Sequence, residues 1–107
     1  MVPVIVVQPN VTEPLTEGVT VMLACSALGV PRPSIQWYKD GSLLMNESLT
    51  AIYTEEFENN DLLFITSILE LCSVEGDDEG TYSCQATNSV GNISVEFVVR
   101  VMLGMFV

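Results

Sequence analysis

The sequence has no histidine, and its 107 residues include only three basic ones, Arg32, Lys39 and Arg100, against fourteen acidic ones. Without histidine the usual proton shuttle of neutral pH is gone. So are most zinc-binding schemes and every Ser-His-Asp or Cys-His nucleophile arrangement. An enzyme would have to run on carboxylates alone, and no pair of them falls at a plausible cleft. No catalytic, cofactor-binding or metal-ligating residue is therefore expected. A formal net charge of −11 repels phosphate backbones and anionic headgroups, which argues against nucleic acid and against membrane contact. It serves solubility first and attraction of a basic protein partner second. Long apolar runs are also missing. Met1 to Val7 is apolar but has no basic leading stretch and no cleavage site, so it reads as a strand and not as a secretory signal. The apolar stretch Val98 to Val107 is interrupted by Arg100 and falls short of the roughly 20 residues that cross a bilayer. A secreted or anchored parent protein would carry its targeting signals outside this sequence.

What is present is enough apolar material for a core: 49% of the residues are hydrophobic, and the length suits one domain over 1–107. No segment carries a sustained helical repeat. Short runs of Val, Ile, Thr, Leu and aromatics recur instead, punctuated by Gly, Pro, Asn and Asp. Strands are expected over Val4–Val7, around Val11–Leu15, over Val19–Ala27, across Ile35–Tyr38, near Leu43–Met45 and Leu49–Tyr53, over Leu63–Leu71 and Gly80–Thr87, and from Ile93 to about Met102. Pro9 confines the first to a sheet edge. Period-2 alternation turns Val21, Leu23, Cys25, Ile35, Trp37, Leu69, Leu71, Tyr82, Cys84, Ala86, Val95, Phe97, Val99 and Val101 inward. The acidic stretch from Glu55 to Asp61 reads as a solvated bend. About eight short antiparallel strands with frequent turns make an all-β chain of two packed sheets.

Within this pattern Cys25 and Cys84, on inward positions of strands facing each other, are separated by 59 residues. Trp37 lies on the strand after Cys25, and Tyr82 sits two residues before Cys84. The surrounding positions agree as well: Glu17-Gly18, Val21 and Leu23 before the first cysteine; Gly29, Pro31, Pro33 and Ile35, then Trp37-Tyr38-Lys39-Asp40-Gly41; and Leu69, Leu71, Val74, Asp78 and Gly80 before Tyr82, with Ala86, Asn88 and Gly91 after Cys84. In this set, which spans Val4 to Val101, the chain resembles an immunoglobulin domain of the intermediate, or I-set, type. The resemblance implies an immunoglobulin-like two-sheet antiparallel β-sandwich tied by a Cys25–Cys84 disulfide. Trp37 would pack on that bridge, and Tyr82 would send its hydroxyl to nearby backbone. Trp37, Tyr82, Asp78, Gly80 and Leu71 form the core signature. A loop of that length closes with a stabilisation of roughly 4 kcal/mol on the chain-entropy model. The family supplies modules of adhesion molecules, receptor ectodomains and muscle filaments, so the resemblance implies a protein-binding or structural role. One position departs from the pattern: in many relatives Asp78 pairs with a basic residue, yet residues 48–58 contain none. Either Asp78 accepts from turn amides or the pair is missing.

Three sequons, at Asn10, Asn46 and Asn92, fall at expected turns or strand ends and are candidate N-glycosylation sites. They favour an extracellular domain of a cell-surface or secreted protein. The alternative is an intracellular filament domain with reduced cysteines. Cys72 has no partner in the pattern and should point outward as a free thiol, as half of an intermolecular disulfide, or in a bridge that replaces Cys25–Cys84. The run Glu75–Glu79 lacks the alternate spacing of a calcium loop and reads as a solvated turn. Met22, Ala24 and Ile68 should share the outer surface of one sheet. Gln36 and Tyr38 should face outward on the other. Both are candidate contact surfaces for a protein partner, a neighbouring domain or a second copy, and the edge strands beginning at Val4 and Val95 could accept a partner strand.

Overall fold

The computed structural model describes residues 1–11, 14–59 and 62–102. Ten strands account for most of them: β1 (Val4–Val7), β2 (Leu15–Thr16), β3 (Val21–Gly29), β4 (Ser34–Lys39), β5 (Ser42–Leu43), β6 (Thr50–Asn59), β7 (Leu62–Leu71), β8 (Gly80–Thr87), β9 (Asn92–Val99) and β10 (Val101–Met102). A single turn of 3-10 helix covers Gly76–Asp78. One sheet runs in the order β1-β3-β7-β6, the other in the order β5-β4-β8-β9, and a small parallel pair joins β10 to β2. All pairings within the two large sheets are antiparallel. The expected sandwich is what the chain forms.

Alternation explains where the core lies. Leu23, Cys25 and Ala27 of β3, Trp37 of β4, Ile65, Ser67, Leu69 and Leu71 of β7, and Tyr82, Cys84 and Ala86 of β8 are all buried, and Val74 and Val99 close the cluster. Leu23, Leu69 and Leu71 of the first sheet meet Trp37, Tyr82 and Cys84 of the second in one core. The Cys25–Cys84 disulfide spans the layers with its Cα atoms 6.7 Å apart. Phe97 of β9 is half-buried and meets Trp37 edge-on at 6.2 Å and stacks on Tyr82 at 5.7 Å, which extends the aromatic packing toward the sheet edge.

Ser67 is a polar residue with no exposure at all. It is tolerated because the indole Nε1–H of Trp37 donates to its Oγ at 2.8 Å, with Thr54 Oγ1 at 3.4 Å on its other side. An unpaired indole N–H at that depth would cost about 1–3 kcal/mol.

The turn between β4 and β5 is held by Asp40. Its backbone N–H donates to the Thr81 carbonyl at 2.7 Å, and its Oδ1 accepts from the Thr81 N–H at 3.0 Å. Gly80 leaves room for that carboxylate: a Cβ on it would stand 2.7 Å from Asp40 Oδ2 and would push the side chain off its bond to Thr81. Asp40, at φ 49°, and Gly41, at φ 86°, are both left-handed in this turn, which glycine adopts without strain.

Three expectations need correction. Residues 55–59 belong to strand β6 and do not form a bend. Thr50, Ile52, Tyr53 and Thr54 favour extended backbone, and a sheet edge carries exposed glutamates without cost, which also discourages pairing with other chains. Asn60 and Asp61, the end of the expected bend, lie outside the described residues. The strand expected from Val19 begins at Val21, because Val19 is drawn into a turn in which its N–H donates to Thr16 and its carbonyl accepts from Val74. The last strand is broken at Arg100, whose carbonyl turns to accept from the Leu15 N–H at 2.8 Å.

Candidate interaction surface

Directly opposed residues of an antiparallel ladder point to the same side of a sheet, so the register fixes the outer faces. On the first sheet Ala24 lies opposite Ile68, and Ile68 lies opposite Tyr53. These three make one apolar row across β3, β7 and β6. The next row holds Met22, Glu70 and Ala51, and on the other side stands Ser26-Thr66-Glu55. Ser26 Oγ and Thr66 Oγ1 are 2.9 Å apart and satisfy each other. Val4 and Val7 of β1 adjoin the face at its border, opposite Leu28 and Ser26. Met22 is 60% exposed and Tyr53 51%. The register thus brings Met22, Ala24 and Ile68 into two adjoining rows. Tyr53 and Glu70 share those rows, and the sequence reading left both out. Parity with Ile68 along β7 is the signal that marks Glu70; for Tyr53 it is the β6–β7 register, hidden as long as β6 was cut short at Tyr53.

Tyr53 donates its phenol hydrogen to Glu70 Oε1 at 3.1 Å. This bond, then the charge of Glu70, holds the phenol above its ordinary pKa. Cys72 is a free, half-buried cysteine. Burial first, then the charge of Glu70, pushes its thiol pKa up, which keeps the sulfur protonated and a poor nucleophile at neutral pH.

The outer face of the second sheet is different. Gln36 lies opposite Gln85, and Tyr38 opposite Ser83. Ser94 and Glu96 of β9 continue those rows. The Tyr38 hydroxyl has Gln36 Oε1 at 3.1 Å and Gln85 Oε1 at 3.3 Å as acceptors, so the central polar groups partner one another.

Asn10, Asn46 and Asn92 are all exposed; Thr12 of the first sequon lies outside the described residues. Asn46 has a structural task too. Its Oδ1 accepts from the Ile52 N–H at 2.7 Å, which occupies one outward-pointing amide of the β6 edge. Asp78 accepts from the Glu75 N–H at 2.8 Å through Oδ2, so it ties down one turn amide. Its carbonyl receives the Tyr82 hydroxyl at 2.5 Å. Burial first, then the charges of Asp78 and Asp40, pushes the Tyr82 phenol far above its ordinary pKa. Among the described residues no three acidic or cysteine side chains converge as a metal site, and no helix is long and apolar enough to cross a membrane.

Comparison with known proteins agrees with this geometry. A family model described as immunoglobulin domain matches residues 2–88. The chain is 38% identical over 95 residues to the tyrosine-protein kinase-like protein otk of Drosophila willistoni, covering 89% of this chain and 8% of that protein. It is 31% identical over 93 residues to hemicentin-1 of Mus musculus, covering 85% of this chain and 2% of that protein. It therefore spans less than a tenth of either relative's length. A solved chimeric titin Z1Z2 carrying a decorin peptide superposes with a TM-score of 0.78 at 26% identity, over 94% of this chain and 95% of that one.

Proposed function

Because the chain belongs to the immunoglobulin domain family, we propose that it is a non-catalytic protein-interaction module, an I-set domain of a longer cell-surface or secreted adhesion or receptor protein. The observation that carries this reading is the outer face of the β1-β3-β7-β6 sheet, where Met22 and Tyr53 stand exposed beside Ala24 and Ile68 on a rigid, disulfide-tied support. Preorganised apolar and aromatic side chains on a fixed sheet lose little entropy on binding. Exposed aromatics of this kind are enriched among the residues that dominate interface energies. Three exposed sequon asparagines and a closed Cys25–Cys84 bridge support the extracellular setting.

The test is a photoreactive phenylalanine analogue placed at position 68 or position 85 of the parent protein in its native tissue. Protein adducts at position 68 are expected; adducts at neither position would sink the module reading. A second reading, an intracellular filament domain, is favoured by the likeness to titin. Intact mass of the native protein decides between the two settings. The extracellular one expects alkylation of Cys72 alone before reduction and a mass loss on deglycosylation. Three alkylated thiols without reduction, and no glycan, would choose the filament.

A further inference from the structure

We infer that the Tyr53–Glu70 pair is a receptor for an arginine side chain of a protein partner, with Ala24 and Ile68 taking an apolar neighbour of that arginine and Glu55 a second basic residue. This rests on the interaction-module reading and names the partner's chemistry. The phenol–carboxylate bond at 3.1 Å couples the two side chains into one platform, so less side-chain freedom remains to be lost on binding. It uses one of about four acceptor sites on the carboxylate. What is left is an exposed aromatic face beside an anionic fork. A guanidinium suits that combination better than an ammonium, because it is planar, weakly hydrated, stacks on rings and donates two parallel hydrogen bonds.

The domain's own cations do not supply this partner. Arg32 pairs with Glu56 at 2.8 Å, Lys39 donates to the Asp77 carbonyl and lies 6.0 Å from the Tyr82 ring centre, and Arg100 sits at the β9–β10 break. None stands in the rows that hold Tyr53, Glu70 and Glu55. Glu55 lies opposite Thr66, four residues along β7 from Glu70. At roughly 3.4 Å per residue the two carboxylates are offset by about 14 Å along the strands, with the apolar row between them. An extended segment with basic residues at i and i+4 and an apolar residue at i+2 has the same span. A second copy of this chain does not match, since each carries −11 and would bring glutamates against glutamates. The occupant is therefore a basic, apolar-centred segment of a different protein.

The probe is the pentapeptide acetyl-Arg-Ser-Leu-Ser-Arg-amide, titrated into the isotope-labelled chain by two-dimensional NMR, alongside twins carrying citrulline or lysine for arginine. Saturable shifts centred on Ala24, Tyr53, Ile68 and Glu70 are expected. Loss of the charge-assisted pair should weaken binding about tenfold for the citrulline twin and for Glu70→Gln. Glu96→Gln removes the same charge from the opposite face and should change affinity less than about twofold. Tyr53→Phe, which keeps the ring and drops the anchoring hydroxyl, should fall between the two. Equal weakening by Glu70→Gln and Glu96→Gln, equal binding of the lysine twin, shifts centred on Gln36 and Gln85, or no saturable shift would each overturn the inference. Photoadducts at position 68 alongside any of these results would leave the module reading standing.

Discussion

The two outer faces of the sandwich are built on one core and differ chemically at their centres. On the β5-β4-β8-β9 sheet, the centre is polar: the Tyr38 hydroxyl has Gln36 and Gln85 as acceptors, and the exposed apolar residues Leu43 and Val98 stand toward its margins. On the β1-β3-β7-β6 sheet, the outward positions hold Met22, Ala24, Ile68 and Tyr53 with Glu70 and Glu55 beside them, and they leave aromatic and carboxylate surface without a basic neighbour in those rows. Inward positions of both sheets are dictated by the same requirement, to fill space around the disulfide and Trp37. Outward positions are free of it, and there the chain spends its differences. On the interaction-module reading, specificity would lie with the residues that folding does not need.

Both faces depend on the core beneath them. Cys25→Ala combined with Cys84→Ala should cost about 2–5 kcal/mol in urea unfolding and should remove both faces together. Unchanged stability would mean that packing alone holds the layers. Next, Trp37→Phe should cost roughly 1–3 kcal/mol, because it deletes the bond to Ser67 and leaves that buried hydroxyl with only the longer contact to Thr54. Both faces should again weaken equally, as read by hydrogen exchange on β4 and β7.

Alkaline pH separates inner from outer tyrosine. The folded Tyr82 phenol ionises far above its ordinary pKa, so the unfolded chain gives up that proton first. Stability held at neutral pH should therefore fall as pH rises above about 10, the unfolded value. Tyr82→Phe should start lower, having lost its bond to Asp78, and should show a flatter decline. A thermal melting series from pH 8 to 12 reads both, and an equally steep decline in the variant would assign the effect elsewhere. The smallest effect lies on the faces themselves. Met22→Ser and Gln36→Ser should each change stability by less than about 0.5 kcal/mol, while only Met22→Ser shortens retention on a hydrophobic-interaction column.

The sandwich could be read from the sequence wherever period-2 alternation had an apolar side, as in β3, β4, β7 and β8. The Cys25, Trp37, Tyr82 and Cys84 positions carried it. Alternation failed in β6, where exposed glutamates imitate a loop because an edge strand need not hide either its charges or its outer residues. The parallel pairing of β2 with β10 was invisible for another reason: pairing partners far apart in sequence leave no local mark on two-residue strands. Ser67 was missed because a buried hydroxyl has meaning only beside the indole that donates to it. Half of the outer face, Met22, Ala24 and Ile68, followed from parity within single strands. Glu70 follows from the same parity, two residues from Ile68 on β7, whereas Tyr53 required the register between β6 and β7.

Asn88 closes one pole of the molecule. Its Nδ2 donates to the carbonyls of Met1 and Pro31, each at 2.9 Å, and its Oδ1 accepts from the N–H groups of Val90 and Gly91 at 2.9 and 3.1 Å. One amide thus uses both ends to rivet the chain start, the β3–β4 loop and the β8–β9 turn. Loops pinned this way cannot reshape themselves around varied targets as a set of independent fingers would. A pole riveted in this way holds one shape, so any partner it met would have to fit that shape as it stands.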